Sequence, residues 1–268
     1  MFDRLSIDDL EAIITQIAKW AVNLFRLRFD AIGSLYPDSE NGYKVGPIVR
    51  SSFILDGLAR LHLNRGPFFT AKEYMLACVQ REIDRQKELV AENASSEYQK
   101  ALDNMSHDID QYAELFKSIV DKCGDLDDGD PIMSPFTLDF HVLGMRNFIL
   151  SEEDPKRIVR TFPSRTVARI QNCEQVAVTG WDHIATMPLW QCGRLPKWIR
   201  PSLSDSGDTF KAKLAEVFRH VVITESGKDS PFSSALDEEG SARSSLHDFC
   251  DYNAFTDLYI ILPALQNM

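Results

Sequence analysis

Apolar residues recur at helical spacing over the first 25 positions, where Leu10, Ile13, Ile14, Ile17, Ala21, Leu24 and Phe25 share one face. Ser6 and Asp9 form a capping-box-like start, so the pattern predicts an amphipathic helix with one buried side. Residues 30 to 66 change character. Gly33, Pro37, Gly42, Gly46, Pro47, Gly57 and Gly66 punctuate short apolar pieces such as Ser52-Phe53-Ile54-Leu55, which reads as loop with short strands. After Pro67, Thr70 and Glu73 make a second capping box, and Tyr74, Ala77, Cys78 and Val79 carry a helix towards Leu89. Leu102, Met105, Ile109, Tyr112, Phe116 and Ile119 predict a third helix over 98–122.

Beyond an acidic run from Asp125 to Asp130, closed by Pro131, the pattern shortens. The run lacks the alternate carboxylates and the terminal bidentate Glu of a calcium loop, and reads as a solvated turn. Phe136-Thr137-Leu138, Phe148-Ile149-Leu150 and Gln175 to Thr179 read as small strands. Helices resume with Phe210 to Val221 and with Ser244 to the C-terminus, while 201–209 and 224–243 are rich in Ser, Gly and Asp and read as mobile loops. The fold class expected is α+β, mostly α, with a few short strands, in a single domain spanning 1–268.

Composition narrows the function. Of 268 residues, 44% are hydrophobic and 26% charged, with 16 Phe, which excludes fibrous and wholly disordered readings. The balance of 29 Lys+Arg against 40 Asp+Glu leaves a net charge of -11, so no nucleic-acid partner is expected. Five cysteines without a Cys-x-x-Cys pair suggest neither a disulfide framework nor a zinc site. The acidic N-terminus has no apolar h-region, and no stretch approaches the ~18 apolar residues that span a bilayer; the expectation is a cytoplasmic protein with no membrane partner. Phosphate-loop, dinucleotide-binding, nucleophile-elbow and His-Glu-x-x-His motifs are all missing.

One constellation remains: Asp139-Phe140-His141, Asn147 ahead of Phe148-Ile149-Leu150, and Asp182 within Thr179-Gly180-Trp181-Asp182-His183. Phosphoryl transfer from a nucleotide calls for these residue types, because one carboxylate orients the attacking hydroxyl while an amide and a second carboxylate hold magnesium on the phosphates. Polar residues beside short strands are equally the usual material of turn caps.

The stretch Phe136 to His141 followed by Asn147 to Leu150 resembles the catalytic loop of the aminoglycoside phosphotransferase and choline kinase-like family. Thr179 to Trp190, with Leu195-Pro196-Lys197-Trp198, is similar to the metal segment of the fungal branch of that family. So are Phe29 to Tyr36, Val45 to Val49, and Arg65 to Phe69 with Glu73-Tyr74. The resemblance implies the helical C-terminal lobe of a protein-kinase-like fold, with ATP and magnesium as cofactors and a small-molecule hydroxyl as acceptor. It implies Asp139 as the catalytic carboxylate and Asn147 and Asp182 as metal ligands. The sheet lobe that grips ATP in such proteins is expected to be largely missing, since only six residues precede the first helix.

The motifs also depart from the family pattern. Thr137 stands where the family has His, three residues within Val142 to Arg146 read as inserted, and Thr179-Gly180 meets Trp181 directly. Residues 155–174 form a long basic insertion. Two readings follow: an ATP-dependent small-molecule phosphotransferase with degraded motifs, or a non-catalytic, pseudokinase-like module that binds a partner.

Overall fold

The structure is a computed structural model. It describes residues 5–40, 42–55, 57–92, 114, 117, 118, 136–140, 147, 148, 156, 158, 184–200, 209–237 and 250.

Helix α1 (Ile7–Phe25) begins where the sequence pattern places it. The Ser6 hydroxyl accepts from the Asp9 amide at 3.2 Å, and the Asp9 carboxylate accepts from the Ser6 amide at 3.1 Å. Two otherwise orphaned amides are thereby satisfied. The predicted apolar face is buried to the last residue, and Trp20 and Val22 join it.

Two short strands follow, β1 (Gly33–Asp38) and β2 (Gly42–Gly46), paired as an antiparallel hairpin. Gly33 is the point of closest approach: a Cβ there would meet the Gly46 carbonyl oxygen at 2.1 Å, so no side chain fits. Ser52 to Ile54 does not form the short strand that its apolar run suggests. Ser51–Ile54 is a single helical turn, α2, and Leu58–Arg60 is a 3-10 turn. Local hydrogen bonds decide this, with Phe53 N–H donating to the Arg50 carbonyl and Leu55 N–H to the Ser51 carbonyl, both at 2.9 Å.

Helix α3 (Ala71–Glu92) starts at Thr70, whose hydroxyl accepts from the Glu73 amide at 3.1 Å. The Glu73 carboxylate accepts from Phe69 N–H at 3.0 Å, one residue earlier than a regular capping box would have it. Of the helix expected over 98–122, residues 114, 117 and 118 are described and helical.

Strands β3 (Phe136–Leu138) and β4 (Ala185–Pro188) pair antiparallel, with Phe136 opposite Pro188 and Leu138 opposite Thr186. β4 also pairs with β1, so the sheet order is β2-β1-β4-β3. Strand β4 runs into a short helix, α4 (Leu189–Cys192). Helix α5 (Thr209–Ser226) lies beside α1, and the ion pairs Glu11–Lys213 and Lys19–Glu225 advance in the same direction along both, so the two helices run parallel.

The region 224–243, expected as loop, holds the end of α5 and a further helix, α6 (Pro231–Asp237). Phe232 anchors α6 by stacking on Phe25 at 4.3 Å between centroids and meeting Phe218 edge-on at 6.4 Å. The strand expected over 175–179 lies outside the described residues, as does nearly all of 155–174 and of the C-terminal helix. Among the described residues the fold is α+β: helices packed with a four-stranded antiparallel sheet around a continuous core.

Candidate functional site

Strand β3 delivers Asp139 to its position. All three strand residues are buried, and the strand is held on one flank by β4 and on the other by Phe29, which exchanges two backbone hydrogen bonds with Phe136 at 2.9 and 3.1 Å. Thr137, which stands where the resembled family has a histidine, has a structural task. Its hydroxyl donates at 3.0 Å to the Leu24 carbonyl in the last turn of α1, an oxygen that also accepts from Leu27 N–H at 3.0 Å. The Asp139 amide then donates to the Ala185 carbonyl at 2.9 Å, one step beyond the ladder.

The Asp139 side chain is fully buried and faces two guanidinium groups. Its Oδ2 lies 3.0 Å from Arg50 Nη2 and 3.8 Å from Arg194 Nη2, and the arginine side chains are only 4% and 11% exposed. Arg50 comes from the residue ahead of α2, and Arg194 from the turn after α4. Three charged groups taken out of water tolerate burial only through their mutual attraction and their further partners.

Trp20 of α1 gathers the two arms of the loop that carries the candidate residues. Phe140, next to Asp139, meets the indole edge-on at 5.9 Å; Phe148, next to Asn147, does so at 6.3 Å. Asp139 and Asn147 are therefore each one residue from a contact with the same buried indole. Asn147 is half-buried. Asp182, the second expected metal ligand, lies outside the described residues, as do His141, His183 and Trp181. Trp190 is buried and Trp198 packs against the core.

Neighbouring polar side chains serve the sheet. The Thr186 hydroxyl accepts from Gly33 N–H at 2.9 Å and lies 2.7 Å from the Ala31 carbonyl, sewing β4 to the start of β1. The buried Cys192 thiol lies 3.7 Å from both the Thr137 and the Met187 carbonyls. Gln191 is wholly buried, and among the described residues neither its amide nitrogen nor its amide oxygen has a hydrogen-bond partner.

Of the two expected magnesium ligands, Asn147 is described and Asp182 is not. Asp139, expected as the catalytic carboxylate, faces two cations, whose charge opposes a third beside it. Among the described residues no cluster of three or more His, Cys, Asp or Glu side chains could hold a metal. Among the described residues, too, no helix is long and apolar enough to cross a membrane.

Arg50, Arg194 and Gln191 were not legible as site residues. A single arginine after a loop carries no periodic or motif signal, and only the fold brings positions 50 and 194 to one carboxylate.

No protein-family model matches the chain, and comparison with curated proteins and with solved structures finds no match.

Proposed function

We propose that this chain is a non-catalytic relative of the aminoglycoside phosphotransferases and choline kinase-like proteins, a helical lobe whose key carboxylate has become a structural ion. The motif resemblance of residues 136–150 and 179–198 supports the family reading. One observation carries the non-catalytic part: Asp139 is buried and ion-paired with Arg50 and Arg194. A carboxylate that orients a substrate hydroxyl must come within hydrogen-bond reach of it. Asp139 has no exposed surface from which to do so.

A second reading, an ATP-dependent phosphotransferase acting on a small-molecule hydroxyl, draws on the Trp20 clamp, which anchors the flanks of Asp139 and Asn147 on a common ring. In that reading Asp139 orients the hydroxyl after Arg50 has moved away, and Asn147 and Asp182 are the metal ligands.

The two readings part in one experiment. Purified protein is melted with and without magnesium and ATP, and ATP consumption is followed with added amino alcohols and aminosugars. The non-catalytic reading expects no shift in melting temperature and no consumption. Consumption that Asp139→Asn abolishes would overturn it in favour of the phosphotransferase.

A further inference from the structure

A second buried charge cluster lies on α3. Arg81 is 1% exposed and Glu82 2%, although they are adjacent on the helix and project about 100° apart. The Arg81 guanidinium reaches Glu82 Oε1 through Nε at 2.8 Å and Nη2 at 2.7 Å. Its Nη1 donates to the Cys250 carbonyl at 3.2 Å, and its Cζ sits 4.8 Å from the centroid of the Phe53 ring. Burial alone would lower the Arg81 pKa, but Cys78, Glu82 and Tyr74 together outweigh it and hold the value above that of an ordinary arginine. The group is a permanent buried cation stacked on an aromatic face, a contact that strengthens with desolvation.

Phe53 matters because of what lies one turn before it. Its amide donates to the Arg50 carbonyl at 2.9 Å, so ring and guanidinium belong to one tight turn. The carbonyl side of the same segment is held by Arg65, whose Nη2 donates to Leu58 at 2.8 Å and to Phe53 at 3.4 Å. Arg50 thus reaches Asp139 from a backbone gripped by two other arginines, one of them through the Phe53 ring.

We infer that Arg81 is a positioning residue for the Arg50–Asp139 ion pair: by holding the Phe53 ring, it fixes the turn from which Arg50 reaches the carboxylate. The inference goes beyond the proposed function and does not depend on it, since the pair exists whether or not the chain turns over ATP. Helix α3 then bears on Asp139 through the Phe53 ring.

A thermodynamic cycle tests this. Arg50→Met and Asp139→Asn, made singly and together, report the coupling of the pair as non-additive shifts in melting temperature, expected on the order of 5 °C. The cycle is repeated in an Arg81→Met, Glu82→Gln background, which removes the Arg81–Glu82 pair and leaves Arg85, 3.8 Å from Glu82 in the native chain, in place. Positioning by Arg81 predicts that the Arg50–Asp139 coupling falls by about half or more in that background. A merely structural Arg81 lowers all four melting temperatures alike and leaves the coupling intact, which overturns the inference. Should the background fail to fold, Phe53→Leu replaces it, because it removes the ring and keeps Arg81 paired with Glu82. In Phe53→Leu alone, hydrogen exchange at the Asp139 amide should accelerate while that of Leu214 in α5 does not. Equal acceleration at both amides, or none at Asp139, counts against the inference.

Discussion

The seam between α1 and α5 and the corner around Asp139 both join opposite charges, but on opposite sides of the solvent boundary. Along the helix seam, Lys19 pairs with Glu225 at 3.4 Å with side chains 56% and 38% exposed, and Lys213 pairs with Glu11 at half exposure or less. In the corner, Arg50 and Asp139 are 4% and 0% exposed at 3.0 Å. Similar distances therefore carry different consequences. Water screens the seam, and an apolar face led by Ile13, Ile14, Ile17 and Phe218 can hold it together without the ions. In the corner the charges are held out of water, so removing one weakens the compensation for the burial of the others.

The largest break in this contrast is Asp139→Ala, which takes a buried carboxylate away from Arg50 and Arg194. It should cost about 3–5 kcal/mol in urea unfolding, whereas a loss no larger than that of a surface pair would erase the distinction. Replacing Arg50 and Asp139 together by Met and Leu should return most of that loss, because an apolar pair leaves one fewer unmatched charge. Gln191→Met probes buried polarity of the opposite kind: it removes an amide that has no hydrogen-bond partner among the described residues, and should raise stability by about 1–3 kcal/mol. A fall in the urea midpoint would show that the amide is satisfied in solution. At the seam, Lys19→Ala should cost no more than about 1 kcal/mol, and less in high salt.

The smallest effect concerns the start of α1. Hydrogen bonds from Ser6, side chain first and then backbone, hold the Asp9 carboxyl below its ordinary value of 3.8, with Lys156 adding to them. A carboxyl whose folded pKa is lowered stabilises the fold above its unfolded value and loses that contribution as pH falls through the folded one. The Ser6–Asp9 box should therefore persist at pH 5 and open below the ordinary carboxylate range. Amide exchange at residues 7–10 would report it, and the Asp9→Asn variant should lack the acid transition.

The sequence announced helices better than it announced the corner. The face of α1 was readable because Leu10, Ile13, Ile17 and Leu24 repeat with the helix itself, and both caps follow local chemistry within four residues. Phe136 to Leu138 was readable as a strand from its apolar bulk. The single turn at Ser51–Ile54 was missed because four residues are too few to show a period, and α6 because Ser233 and Ser234 look like loop although Phe232 and Leu236 are buried. Asp139 stood out by its motif, yet its environment could not be foreseen. Its partners come from 89 positions before and 55 after, and local patterning says nothing about contacts at such separation.

The β1–β2 hairpin ends the sheet with a strand of only five residues, glycine at both ends and Lys44 at its centre, salt-bridged to Asp38 at 3.8 Å. A foreign chain seeking to add itself there would have to align against a short template while desolvating an ammonium group. The rim of the sheet is thereby guarded against runaway self-assembly, a protection that owes nothing to stability and would weaken if Lys44 became valine.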